Sequence, residues 1–148
     1  MQQDSILITL VDDDEDDRLF FTDAFEELKI NTSVNTLNNG KELLNWLYKP
    51  ETVLPHILFL DLNMPILNGI ECLKEIKQDQ KFKDIVIAIY STSSSDQDVE
   101  ETFVLGANIY IKKPSNFDEL KKILSNVVTI NWQYHTSGLN KDNFLLRL

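Results

Sequence analysis

An α/β fold built on a doubly wound, five-stranded parallel sheet is predicted by three features of the sequence. Short apolar runs recur along the chain, amphipathic helical stretches separate them, and turn residues mark most junctions. Strands covered on both faces read as continuous apolar runs, and short alternating β-α units imply a parallel sheet with helices on either side.

The elements come in order. Ile6–Val11 is an apolar run and the first strand; Leu19, Phe21, Phe25 and Leu28 then fall on one helical face. Ser33–Leu37 is a weaker strand carrying Val34 and Leu37, closed by Asn38-Asn39-Gly40. Leu43, Leu44 and Leu47 mark the second helix, and Pro50 and Pro55 the loop after it. The third unit is Ile57–Leu60 followed by Ile70, Leu73 and Ile76. The fourth is Ile85–Tyr90 followed by Val99, Phe103 and Val104, with Gly106 as a left-handed helix cap. The fifth strand is Ile109–Ile111. Asn116 then caps a helix with acids in its first turn and Leu120, Ile123, Leu124 and Val127 on its inner face. Five such units suit the flavodoxin-like strand order 2-1-3-4-5. One domain over residues 1–130 is expected, with 131–148 as a C-terminal extension and no output domain.

The chain of 148 residues carries a net charge of -10 and a pI near 4.5. Phosphate backbones attract Lys and Arg, so nucleic acid is not an expected partner; a cation, or a basic patch on another protein, is. Cys72 is the only cysteine, which rules out an intramolecular disulfide, and its apolar helical setting reads as core. The N-terminus has no basic segment ahead of its short apolar run, and no stretch reaches the ~20 apolar residues that span a bilayer. A cytoplasmic protein without a membrane partner is expected.

Ligands of doubly wound sheets bind beyond the carboxyl ends of the strands, near the switch in strand order. Strand 1 is followed by Asp12 and Asp13, strand 3 by Asp61, strand 4 by Ser91 and Thr92, and strand 5 by Lys112-Lys113-Pro114. Strands 1, 3 and 4 are neighbours in the proposed order, so Asp12, Asp13, Asp61 and Ser91 should converge, with a lysine reaching over them. Hard carboxylate oxygens with room for water and phosphate are what Mg²⁺ prefers. A carboxylate can also attack phosphorus to give an aspartyl phosphate, with cation, lysine and hydroxyl holding the phosphoryl oxygens.

These residues resemble a receiver domain of the two-component response regulators over roughly residues 5–128. The matching positions are Asp12-Asp13, Asp61 within LFLDLNMPILNG, Ser91, Tyr110 and Lys113 before Pro114. The resemblance implies phosphorylation of Asp61 by a sensor histidine kinase or phosphotransfer protein. It implies Mg²⁺ held by Asp13, Asp61 and the backbone carbonyl of Asn63, with Asp12 acting through the ion's waters. It selects Ser91 over Thr92 and Lys113 over Lys112 by spacing, makes Tyr110 an aromatic that swings inward with Ser91, and implies a cis Lys113–Pro114 bond. The single-domain, chemotaxis-regulator-like layout implies output through altered protein–protein contacts with a downstream protein. The acid-rich start and the tail are similar to those of phytochrome-associated regulators.

Other readings of the same residues have less support. Asp14, Glu15, Asp16 and Asp17 read as a solvated helix start. An EF-hand opening at Asp12 would need Gly where Asp17 stands and Glu where Asp23 stands. An aspartate-nucleophile phosphohydrolase of the haloacid-dehalogenase type would carry Asp-x-Asp after its first strand. Here the candidate nucleophile ends the third strand, and the second acid is replaced by Asn63. A receiver-fold scaffold not switched by phosphate would have no use for the complete set of Asp12, Asp13, Asp61, Ser91 and Lys113. The expected protein is not an enzyme beyond its own phosphorylation and dephosphorylation. His56 and His135 read as structural or exposed, and Trp46 and Trp132 as packing. The tail, Asn131–Leu148, holds Phe144-Leu145-Leu146 and Leu148, and should dock on its own domain or on a second copy in a homodimer.

Overall fold

The computed structural model describes residues 5–133 and 145–146, with side-chain surroundings for 5–129. The strands are β1 (Ile6–Val11), β2 (Thr32–Leu37), β3 (Ile57–Leu60), β4 (Val86–Ser91), β5 (Ile109–Lys112) and β6 (Leu145–Leu146). The helices are α1 (Glu15–Glu27), α2 (Gly40–Tyr48), α3 (Gly69–Gln78), α4 (Asp96–Val104) and α5 (Phe117–Gln133), with a 3-10 turn at Gln80–Phe82. All strands are parallel, in the order β2-β1-β3-β4-β5-β6. The first five realise the expected 2-1-3-4-5 arrangement. β6 adds a sixth strand at the β5 edge, where Tyr110 pairs with Leu145 and Ile111 with Leu146.

Strand alternation divides the interior into two cores. Val11, Leu58, Leu60, Ile87, Ile89 and Tyr110 face α2, α3 and α4, meeting Leu43, Leu47, Leu73, Ile76 and Val99. Ile8, Leu10, Phe59, Ala88, Tyr90 and Ile111 face the other way, onto Phe21, Phe25, Leu120, Leu124 and Val127 of α1 and α5. Each fully buried Leu, Ile or Phe side chain contributes about 1.5–3 kcal/mol relative to exposure, so these two layers hold the sheet together. Edge-on aromatic contacts join Phe21 to Phe59 and to Tyr90 across the α1 side.

Helix starts are set by local chemistry. Asp14 caps α1 by accepting from the N–H groups of Asp16 and Asp17, Asn39 caps α2, and Ser95 caps α4. Asn68 and Glu71 form a reciprocal capping box at α3, and Asn116 accepts from Glu119 N–H at α5. Gly106 closes the turn after α4 with φ of 102°, a left-handed conformation natural to glycine. His56 is structural: its N–H donates to Leu7 O, and its Nδ1 accepts from Leu7 N–H at 2.8 Å, clipping β3 onto β1.

Three expectations need correction. Leu19 and Val104 carry helical-face spacing yet are 56% and 72% exposed. Phe20 leans on Phe117, and Thr102 instead fills the buried α4 position, satisfied by the carbonyls of Asp98 and Val99. The Lys113–Pro114 bond is trans, as are all peptide bonds of the described residues; trans is the intrinsically favoured isomer even before proline. Among the tail residues, α5 runs on to Gln133, and His135, Gly138, Phe144 and Leu148, with the Trp132 side chain, lie outside what is described.

Candidate functional site

The strand register brings the site together. Val11 pairs with Leu60, so the next residues, Asp12 and Asp61, sit side by side; Asp12 N–H donates to Leu37 O and Asp61 N–H to Val11 O. Ile89 pairs with Leu60, and Ser91 ends β4 two residues later. Lys113 N–H donates to Ser91 O at 2.7 Å, which fixes the β5 exit beside the β4 exit. Four strand ends thus converge on one rim of the sheet.

The Lys113 ammonium lies 2.8 Å from Asp12 Oδ2, 2.8 Å from Asp17 Oδ2 and 3.5 Å from Asp61 Oδ2. Asp12 and Asp61 are buried, while Asp13 is exposed. Asp12 Oδ1 accepts from Asp14 N–H, but Oδ2 has no donor directed at it in hydrogen-bond geometry; its contact with Lys113 is an ion pair only. Arg18 Nη1 donates to the Asp12 backbone carbonyl, not to its carboxylate. Asp61 Oδ1 accepts weakly from Asn63 N–H at 3.4 Å.

Electrostatics follow from this crowding. Burial pushes the Asp61 carboxyl up to about 6, against the opposing pull of Lys113, with Asp12 and Asp13 adding to the rise. Burial likewise raises Asp12, opposed by Lys113 and the Asp14 N–H. For Lys113, burial alone would lower the ammonium's pKa; its close contacts with Asp12 and Asp17 and the charge on Asp61 reverse that, leaving it above the ordinary lysine value. Burial pushes the Cys72 thiol up to about 12, which makes it a packing group and not a nucleophile.

Asp12, Asp13 and Asp61 each offer a carboxylate oxygen, all within 4.8 Å of one another. This is a donor set of the hard, anionic kind that a small divalent cation takes. The loop leaving Asp61 is tightly built. A Cβ at Gly69 would clash with Asp61 O and stand 2.8 Å from Leu62 Cα, so only glycine lets α3 begin there. Ile66, in the same loop, is 76% exposed and holds φ of 72°, a left-handed conformation that β-branched residues rarely adopt.

Ser91 is fully buried, and Thr92 is exposed. Ser91 Oγ accepts from Ser93 N–H, and the Tyr110 hydroxyl donates to Ser93 O at 2.7 Å. Tyr110 is thus already packed inward, where the resemblance had it swinging in on phosphorylation. Ser93 Oγ in turn donates to Asp98 Oδ2 at 2.6 Å, linking this loop to α4.

Sequence patterning does not single out two residues of the site: Ser93, whose backbone joins the serine to the tyrosine, and Asp17. The signal for Asp17 is its place as third residue of α1. Side chains lean toward a helix's N-terminus, so an acid there leans back over the strand ends. Asp14 and Asp16 do behave as a helix start, the first as its cap.

Comparison with known proteins bears on this site. A family model described as the response regulator receiver domain matches residues 8–125. The probable methanogenesis regulatory protein FilR2 of Methanothrix harundinacea is 30% identical over 128 residues, covering 84% of this chain and 83% of that protein. The crystal structure of the phosphorylated cyanobacterial phytochrome response regulator RcpA superposes with a TM-score of 0.79 at 29% identity, over 91% of this chain and 98% of that one. The Mn²⁺-bound form of response regulator Rcp1, a protein of Synechocystis, gives 0.75 at 27% identity over 90% and 98%.

Proposed function

The chain belongs to the response regulator receiver family, and on that footing we propose that it accepts a phosphoryl group on Asp61 from a histidine kinase or phosphotransfer protein. The observation that carries this is the burial of Asp61 beside Asp12 and Lys113 at the meeting of the β1, β3 and β5 ends. An Asp61 carboxylate oxygen attacks phosphorus, a P–O bond forms, and the P–N bond to the donor imidazole breaks with its electron pair left on nitrogen. Lys113 and Ser91 supply the positive and hydroxyl contacts for the phosphoryl oxygens. Asp12, Asp13, Asp61 and the Asn63 carbonyl would hold Mg²⁺, which when bound offsets the negative charge gathered at phosphorus. Rcp1, one of its structural relatives, has a Mn²⁺-bound form.

Output follows from the Ser91–Ser93–Tyr110 chain. If the Ser91 hydroxyl turns to a phosphoryl oxygen, Ser93 loses its acceptor, and the bonds from Ser93 to Tyr110 and Asp98 carry that change toward α4. A downstream protein reading that surface is the proposed target, in the cytoplasm. The hydrolase and scaffold readings are not favoured by the family match. The test is incubation with a small phosphodonor and Mg²⁺, followed by intact mass. One phosphoryl adduct, lost with chelator and in Asp61→Asn, supports the assignment; equal adduct on Asp61→Asn overturns it.

A further inference from the structure

We propose that Asp17 is a positioning residue that holds Lys113 away from the acceptor and thereby slows phosphoryl acceptance and shortens the life of the phosphorylated state. This rests on the reading of Asp61 given above. The geometry is direct: the ammonium touches Asp12 and Asp17 at 2.8 Å each and stands off at 3.5 Å from Asp61. Three carboxylates therefore compete for one lysine whose side chain is 9% exposed.

The three competitors are not equivalent. Asp12 belongs to the cluster that could hold a cation, so its charge is shared once a cation is bound. Asp61 becomes the phosphoryl carrier itself. Asp17 belongs to neither group: it sits on α1, a turn away from the strand ends, and its side chain is 37% exposed. It is thus the one anion that goes on attracting Lys113 toward α1 after the other two have changed partners. A contact made in one state and weakened in the other shifts the balance between them by its own strength. For Lys113 to reach a phosphoryl oxygen on Asp61 it must loosen its bond to Asp17, and that cost falls on the phosphorylated side. The acid run at Asp14–Asp17 accordingly has two jobs: Asp14 caps the helix, and Asp17 restrains the lysine.

The experiment uses the full chain at saturating Mg²⁺ with acetyl phosphate, adduct growth followed by intact mass, and adduct decay followed after the donor is removed. Asp17→Asn is expected to gain the adduct faster and keep it longer by about two- to fivefold each, the size of one half-exposed ion pair. The gain should shrink as salt is raised, because a partly exposed pair is screened. Asp17→Glu should return toward wild type. Asp16→Asn, which removes the same charge from the same helix turn without touching Lys113, should change either rate by less than about half that amount. Unchanged or slower acceptance in Asp17→Asn overturns the proposal, as does an equal gain in Asp16→Asn. Melting midpoints of the variants, taken alongside, show whether a changed rate comes from a damaged fold; a gain that vanishes once unfolded protein is discounted also overturns it. No adduct on the wild-type chain would instead overturn the reading of Asp61, and the restraint with it.

Discussion

Lys113 and Asp61 stand 3.5 Å apart, while the same ammonium is in closer contact with Asp12 and Asp17. The site is therefore built with its cation drawn to one side. Its net negative balance favours a second, mobile cation, and this imbalance has measurable effects.

The first is a pH dependence of stability. Burial raises the folded Asp61 carboxyl to about 6, above its ordinary value of 3.8. Between those values the folded state binds more protons than the unfolded one, so stability is highest at the acid end of that window and falls as pH rises through it. At pH 7 without divalent ions, ionised Asp61 opposes folding by on the order of 3 kcal/mol. Asp61→Asn should melt above wild type at pH 7 in chelator, with the gap closing toward pH 4. A gap that widens toward pH 4 would be the wrong sign.

Asp13→Ala should weaken metal binding and leave the metal-free fold at least as stable. Asp13 is exposed and contributes repulsion to buried Asp61, so its loss relieves charge and vacates no core volume. Calorimetric titration with Mg²⁺ and a denaturation midpoint in chelator check the two halves. A clearly lower midpoint counts against the repulsion argument.

Phosphorylation should alter amide exchange most between Ser91 and Lys113. Ser91 Oγ accepts from the Ser93 N–H and the Tyr110 hydroxyl donates to the Ser93 carbonyl, so freeing either loosens the loop entering α4. Exchange compared with and without a phosphoryl mimic should find the difference there. Equal protection throughout that stretch would remove the switch while leaving phosphorylation intact.

The loop between Asp61 and α3 offers two opposed substitutions. Ile66→Asn should raise stability by about 1 kcal/mol, because a left-handed backbone costs a β-branched residue about that much and Ile66 buries little. Gly69→Ala should lower it by about 1–3 kcal/mol or more, since the added methyl meets the backbone of Asp61 and Leu62 and not the end of a flexible side chain. Chemical denaturation measures both, and Gly69→Ala should also lose phosphoryl acceptance.

The sheet order, all five helices and the convergence of Asp12, Asp61, Ser91 and Lys113 were legible because they depend on patterns that one chain displays: apolar runs, caps, and the polar residues at each strand's exit. Less legible were features set between elements. Leu19 and Val104 obey helical spacing, but spacing says nothing of where the sheet ends and solvent begins. Asp17 looked like any acid in a first helical turn, because its partner lies 96 residues away. Ser93 meets Ser91 and Tyr110 through its backbone, which no side-chain pattern reveals. The β5–β6 pairing rests on two leucines, too short a run to read as a strand.

The division of the interior by the sheet has a consequence for how such a chain can change over time. Phe21, Phe25 and Leu124 belong to one core, and Leu47, Leu73 and Ile76 to the other. Substitutions within one set share neighbours and can compensate for each other's volume; substitutions in opposite sets have no common partner, and their effects should simply add. The lining of one helical layer can then be rewritten over generations without a matching change in the other. Throughout, the strand register keeps Asp12, Asp61 and Ser91 at the same rim.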